Sequence, residues 1–570
     1  MAKKIDFINK IFIEIICKIC CLFYDCFKLF LLLFLLIVIP DIIEAFFENN
    51  IKLVIYILLH GFFVSYILIA IYEMLPSILK NVFLFLLLGV ISLLFSVSVF
   101  CLFMYQCGLN ESIVSIIVAT NKNEVFEFFS IYRESIYCMA LLGVLVIIAF
   151  IFLFLRKPVV TEKRKICRPG FFEYILVIVL IIGCALSIKN LKLWNNELFG
   201  KIFLFNSLKT VSLRDYQKTI PLLLDEDLPT RVVIIMGESF SRDHSSLYGY
   251  TKQTNPHLMK LINKGDLFAY SDVVSPAIST IESFRKMMSS YSFDSTGKWY
   301  ESIFLSDILK SAGYKTYWIS NQSKSGLYDN GVTCFSEIFD DIFFVGNKPF
   351  IQNKKYQDEG LLDEVLIETI DEKLCKDEKQ FYFIHLIGSH IDYKKRYSTR
   401  FSKFSIDDYS DPDFENNQKE KIAAYDNSIL YNDSVVNEII NRFKDEVSIV
   451  FYLSDHGQDI YYSSKDYAGH AKQSEKSIWS AARIPFLIYV SPAFKEKYPE
   501  TLVRIGKNRD QPFMTDDLIY AIMDILNIYF KDDQEVVYKK SILNPDLNRK
   551  RLVEGRGGRL LDYDKKRFVN

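Results

Sequence analysis

The sequence predicts a protein of two unlike halves. The first is a membrane α-helical domain of about five transmembrane helices. The second is an α/β domain whose mainly parallel sheet is covered by helices on both faces. Three observations carry this. Long apolar runs crowd the chain up to about residue 190 and stop there. From Arg231 onward, short runs rich in β-branched and aromatic residues alternate with helical patterns, the mark of buried parallel strands. The clusters Gly237-Glu238-Ser239, Ser279-Thr280 and Ser454-Asp455-His456-Gly457 then punctuate the strand pattern.

The apolar runs lie near Phe27–Phe46, Leu53–Ile71, Val82–Met104, Ile136–Leu155 and Phe171–Ile188. Each is long enough, or nearly so, for a hydrocarbon layer of ~30 Å. Lys3, Lys4 and Lys10 precede the first run. Arg156, Lys157, Lys163, Arg164, Lys165 and Arg168 fill the loop before the last. Both basic segments belong on the cytoplasmic side, so an odd number of spans exports the C-terminal half. No cleaved signal peptide is expected, because the apolar segment starts late and no small-residue cleavage site follows it. The divisions that result are 1–190 for the transmembrane domain, 191–229 for a helical bridging linker, 230–545 for the exported domain and 546–570 for a basic, polar, peripheral tail.

Composition excludes one class and narrows another. A net charge of −1 gives no field to draw the chain to nucleic acid. Nine of the eleven cysteines fall in the membrane half, leaving Cys334 and Cys375 in the exported half, where sequence does not decide whether they pair. Cys17 and Cys20 have redox spacing but an apolar setting without a thioredoxin-like context. Between the third and fourth spans, Ile113, Ile116, Ile117 and Val118 give residues 105–134 an amphipathic look. That loop either lies in the membrane interface or packs on the other domain.

The strand-like runs are Val232–Met236, Thr316–Ile319, Phe381–Ile387, Val447–Leu453 and Pro485–Val490, with helical patterns at Ile303–Ala312 and Leu361–Cys375. Polar residues follow four of them: Glu238 and Ser239, then Asn321 to Lys324, then His385 and His390, then Asp455 and His456. Open α/β sheets bind ligands outside the carboxyl ends of their strands, so these clusters converge on one site.

Glu238, Asp455 and His456 offer the oxygen and nitrogen ligands that suit Zn²⁺ with a fourth position open. A carboxylate-rich set also accepts Mn²⁺. Thr280 opens a helical pattern at Ile281-Glu282-Ser283-Phe284. It is either a helix cap or a hydroxyl nucleophile placed against free backbone N–H groups. Five of the seven histidines, among them His390 and His470, lie in or beside the motifs, which favours function for the group. Lys324 is either a point charge for phosphate or a solvated loop lysine. A nucleophile and metal ligands tethered to a bilayer point to an enzyme acting on lipid-linked phosphate.

Gly237 to Tyr250, followed by Thr254-Asn255-Pro256, is similar to the opening motif of the phosphoethanolamine transferases, a membrane-anchored branch of the alkaline phosphatase/sulfatase superfamily. Trp318-Ile319-Ser320-Asn321-Gln322, the stretch from His385 to His390 and Ser454 to Gly457 match in the expected order, as does the five-span half. The resemblance implies an inner-membrane, multi-pass protein with a periplasmic sulfatase-like catalytic domain, a monomer. It implies zinc held by Glu238, Thr280, Asp455 and His456, with Thr280 as nucleophile, His390 and His470 as catalytic histidines at the substrate, and Lys324 as a substrate-site lysine. Thr120 and Glu124 match residues proposed to contact lipid. The implied activity is transfer of phosphoethanolamine from phosphatidylethanolamine to a cell-envelope acceptor, through a covalent threonine intermediate.

Two departures direct the choice of acceptor. Lipid A–modifying members carry an asparagine where this chain has Ile116, and flank the nucleophile with a disulfide where it has Pro276 and Lys286. The resemblance is therefore nearer to members that modify lipopolysaccharide core sugars, glycans or proteins. A glycerol-phosphate transferase, a phosphodiesterase and a lipid-binding protein with a degenerate enzyme domain are the alternatives.

Overall fold

The computed structural model describes residues 26–47, 51–108, 132–155, 212–224, 227–322, 332–345, 362–374, 378–555 and 558–569, with 113, 125 and 128–129 between them. These residues form two compact units, the N-terminal helices and the domain from residue 212 on.

In the first unit, continuous apolar sequence winds into α1 (Phe27–Phe47), α2 (Ile51–Met74), α3 (Ser77–Tyr105) and α4 (Arg133–Leu155). The first three are long and apolar enough to cross a membrane. The fourth expected run is a helix of 23 residues. The fifth, Phe171–Ile188, lies outside the described residues, as do Cys17, Cys20 and Cys375. Leu33, Leu36, Ile69, Leu88 and Ile91 bury one another between helices. Leu31, Ile55, Leu59, Phe85 and Leu86 face outward, a distribution that suits lipid as the surrounding solvent.

The strands of the second unit are β1 (Leu222–Leu224), β2 (Arg231–Gly237), β3 (Leu267–Ala269), β4 (Val273–Val274), β5 (Lys315–Ser320), β6 (Asp341–Phe344), β7 (Gln380–His385), β8 (Ser448–Ser454), β9 (Asp459–Ile460), β10 (Ala468–Gly469), β11 (Phe486–Val490), β12 (Phe513–Met514), β13 (Ile528–Phe530), β14 (Leu552–Glu554), β15 (Leu560–Asp562) and β16 (Arg567–Phe568). Seven of them form one sheet in the order β3-β11-β8-β2-β7-β5-β6. Side chains alternate across it. Val232, Ile234, Met236, Phe383 and Phe451 pack under α5 (Thr280–Met287), α6 (Leu305–Ser311) and α9 (Leu518–Ile525). Val233, Ile235, Tyr382, Ile384 and Val450 pack under α7 (Leu366–Lys373) and α8 (Asn416–Arg442). Two buried faces explain why these strands read as continuous apolar runs.

The sheet is mixed. β8, β2, β7, β5 and β6 are parallel, but β11 runs antiparallel to both β8 and β3. Phe486 pairs with Leu453 and Val490 with Ile449. The chain between β8 and β11 stays at the carboxyl edge, so β11 must start there and run back. An apolar pentapeptide reads the same in either direction, which is why sequence does not disclose this.

Two further segments depart from expectation. Residues expected to continue a helical linker instead include a 3-10 turn at Leu213–Tyr216 and strand β1, paired with β13. The stretch after residue 545, expected to be peripheral, forms the three-stranded sheet β14-β15-β16. Its Val553 and Leu561 are fully buried with Val274, Ile278 and Ile478. A basic composition conceals the few alternating apolar residues that anchor it.

Candidate active site

Parallel pairing sets the site. Gly237 of β2 lies opposite Ser454 of β8, and Met236 opposite His385 of β7. The residues that follow, Glu238, Asp455 and His456, leave the sheet side by side. All three are buried, and they offer one ligand atom each within 4.8 Å of one another. Ser239 turns the chain sharply with φ of 60°, an unusual conformation for a residue other than glycine. Its backbone N–H donates to Asp455 Oδ1 (3.2 Å) and its hydroxyl to Glu238 Oε1 (2.8 Å).

The structure places Thr280 just inside the helix. Ser279 occupies the cap position of α5, with extended backbone, and Thr280 is the first helical residue. The Thr280 hydroxyl donates to Glu238 Oε2 (3.3 Å) and lies 3.4 Å from His456 Nε2. His456 Nδ1 is 2.9 Å from Gly457 O, which can only accept, so that nitrogen carries the proton. The Nε2 lone pair is left facing Thr280, Glu238 (3.4 Å) and Asp455 Oδ2 (3.4 Å). Burial, with the Asp455 carboxylate alongside, holds the Glu238 carboxyl well above the ordinary carboxylate range. Asp455 Oδ2 is buried and accepts no hydrogen bond. Two buried carboxylates, an orphaned oxygen and an imidazole lone pair aimed at one point form a donor set for a divalent cation.

His470 joins the cluster, its ring centroid 4.2 Å from that of His456 and its Nδ1 3.3 Å from Gln458 Oε1. His390 sits on the loop after β7, where the Ser389 N–H donates to Glu238 O (2.9 Å) and His390 Nδ1 lies 2.8 Å from Ile391 O. Gly388 makes that approach possible. Its φ is +57°, and a Cβ there would fall 2.7 Å from Glu238 N. Lys324, Thr120 and Glu124 lie outside the described residues.

Several supporting side chains escaped sequence reasoning. The Tyr425 hydroxyl donates to Ser239 O (2.7 Å) and accepts from Ser241 N (2.8 Å), fixing the turn after Glu238. Asp363 accepts from Asn321 Nδ2 (3.0 Å), Ile387 N (2.8 Å) and Gly388 N (2.9 Å), tying the loops after β5 and β7 together. Ser275 Oγ donates to Asp455 O (2.5 Å). The only available signal was their position beside predicted strand ends, which does not single out one polar residue among many. Cys334 is buried, and its thiol is pushed up to about 12 by that burial, so it is inert.

Comparison with known proteins finds similar sequences and folds. Phosphoethanolamine transferase EptC of Escherichia coli is 26% identical over 518 residues, covering 84% of this chain and 85% of the relative. The periplasmic domain of Escherichia coli EptC, solved in complex with Zn, superposes with a TM-score of 0.54 at 26% identity, covering 61% of this chain and 96% of that one. The integral-membrane lipooligosaccharide phosphoethanolamine transferase A of Neisseria meningitidis shares the fold at a TM-score of 0.59 and 20% identity, covering 88% and 95%. The Sulfatase family model matches residues 230–528, and the chain belongs to the sulfatase family.

Proposed function

We propose that this protein is a zinc-dependent phosphoethanolamine transferase of the bacterial inner membrane, with its catalytic domain in the periplasm. It takes the headgroup from phosphatidylethanolamine and passes it to a lipopolysaccharide core sugar or phosphate. The observation that carries the reading is the Thr280 hydroxyl at the start of α5, held between Glu238 and His456 beside the orphaned oxygen of Asp455. Similarity to named phosphoethanolamine transferases over most of the chain supports the transferred group. Ile116, and the Pro276 and Lys286 flanking the nucleophile, favour core sugar over lipid A.

Glu238, Asp455, His456 and Thr280 would hold the metal, and the zinc-bound relative supports its identity. Bound there, zinc supplies Lewis-acid stabilisation of phosphoryl charge and a lower pKa for the threonine hydroxyl. The chain's own residues do the rest. Thr280 Oγ1 gives up its proton to solvent and forms a bond to phosphorus, while the bond from phosphorus to the diacylglycerol oxygen breaks. His390 or His470 delivers a proton to that leaving oxygen. Free N–H groups in the first turn of α5 face the phosphoryl oxygens. In the second half, an acceptor hydroxyl gives up its proton to the same histidine and attacks phosphorus. The bond to Thr280 breaks, and its oxygen takes a proton back from solvent to regenerate the hydroxyl.

Replacing Thr280 with alanine removes the nucleophile but leaves three ligands. The Thr280→Ala protein is expected to bind zinc and to lose transfer by roughly a thousandfold or more. Zinc content and headgroup transfer, measured on one preparation, check this. Wild-type-like transfer would remove the covalent step. A wild-type protein that binds no zinc would favour a degenerate, lipid-binding domain.

A further inference from the structure

The C-terminal strand reaches the segment that carries Thr280. Glu554, the last residue of β14, donates its backbone N–H to Pro276 O (2.8 Å), and its carbonyl accepts from Ile278 N (3.2 Å). β14 therefore pairs with the residues that lead into α5. The Glu554 side chain turns the other way along the same segment, its Oε2 lying 2.5 Å from Lys286 Nζ in the last turn of α5. One residue thus grips both flanks of the nucleophile. Lys286 is 5% exposed and Glu554 is 23% exposed, so this pair is far less screened than a surface contact. Val553 of the strand and Leu561, its partner on β15, lie in a buried cluster that includes Ile278 of the nucleophile loop.

We propose that Glu554 and Lys286 are positioning residues for the transfer reaction, an ionic clamp that fixes where the Thr280 hydroxyl stands. Neither touches the reacting atoms. The proposal rests on the reading of Thr280 as nucleophile. Covalent chemistry at phosphorus demands in-line approach at near contact distance, and a displacement of ~1 Å costs on the order of a hundredfold in rate. The loop 275–279 has no regular structure of its own between β4 and α5, so its placement depends on what grips it. Ser275 holds the near end through Asp455 O, and Glu554 holds the middle and, through Lys286, the helix.

The test uses the full-length protein in detergent micelles containing phosphatidylethanolamine and lipopolysaccharide as acceptor. Removing one charge would strand the other in a sheltered place, so the informative variant is the double replacement Lys286→Met with Glu554→Gln. It deletes both charges and leaves the backbone pairing of residue 554 intact. Bound zinc, the thermal unfolding midpoint, kcat and KM for headgroup transfer are compared with wild type, with kcat expressed per zinc-loaded chain. The clamp predicts retained zinc, a cooperative transition within a few degrees of wild type, KM within about twofold and kcat lower by about tenfold or more. The shorter carboxylate of Glu554→Asp should fall between. A double variant with wild-type kcat overturns the proposal. So does a loss confined to zinc binding and folding, because the pair would then be structural only. Failure of the functional reading is distinguishable, since it would show as a wild-type protein that transfers no headgroup.

Discussion

At the scale of single residues, the site depends on groups placed where water is excluded and partners are few. Glu238, Asp455 and His456 were legible because each follows a buried strand within a two-residue motif, and parallel pairing brings such ends together. Thr280 was legible at a helix start, and its proposed role came from the resemblance. A threonine at a helix start also reads as a cap, and the structure puts Ser279 at the cap position instead. Tyr425 and Asp363 were not legible, because each acts on backbone groups that are far away in sequence. His385 yields a prediction of its own. Both ring nitrogens are buried without hydrogen-bond partners, the ring packs against Phe284 and Trp318, and burial lowers its pKa from 6.5 to about 4. Between those two values the unfolded chain binds a proton that the native state refuses. Stability should therefore fall as pH drops from about 6.5 to about 4, by up to roughly 3 kcal/mol from this group. Unfolding midpoints measured across that range should show a steeper acid slope for wild type than for His385→Phe. Equal slopes would mean that the ring takes up its proton in the native state.

At the scale of elements, the strands were read well and their directions were not. The five runs expected from composition became β2, β5, β7, β8 and β11, because a strand buried on both faces has no polar positions to blur its pattern. β11 reversed because direction is set by where the preceding chain ends, a property of the connection. The 27-residue helix α8 was missed for another reason. Its buried positions include Asp426, Asn427, Ser428, Asn432 and Asp433, which break the apolar period a helix normally announces. The loop after β7 offers the sharpest test at this scale. Gly388→Ala would place a Cβ 2.7 Å from Glu238 N in a left-handed conformation. We expect a loss of about 1–3 kcal/mol in stability, and weaker zinc binding because the backbone of a proposed ligand residue must move. Chemical denaturation and zinc titration together check this. A variant that is destabilised but binds zinc normally would show that the loop yields instead of the Glu238 backbone.

At the scale of the whole molecule, the division into apolar helices and an α/β domain was the most legible feature of all. Long apolar helices announce themselves by length and composition; α1 to α4 fall at the first four apolar runs, and the first three are long and apolar enough to cross a membrane. The proposed donor and acceptor are both membrane components, so attachment should act as a concentration device. A chain beginning at residue 212 is expected to retain zinc and to act on a soluble phosphoethanolamine ester. Its rate on phosphatidylethanolamine in vesicles should fall by about a hundredfold or more against the full-length protein. Equal rates on vesicles would remove the membrane half from the account of substrate capture.

The central claim is that Thr280 carries the headgroup between donor and acceptor. Peptide mass mapping of the full-length protein, after incubation with zinc and phosphatidylethanolamine and without acceptor, tests it directly. The account predicts a phosphoethanolamine adduct on the peptide that contains Thr280, absent from Thr280→Ala. A zinc-loaded protein that carries no adduct would contradict it, and phosphatidylglycerol would be the next donor to try.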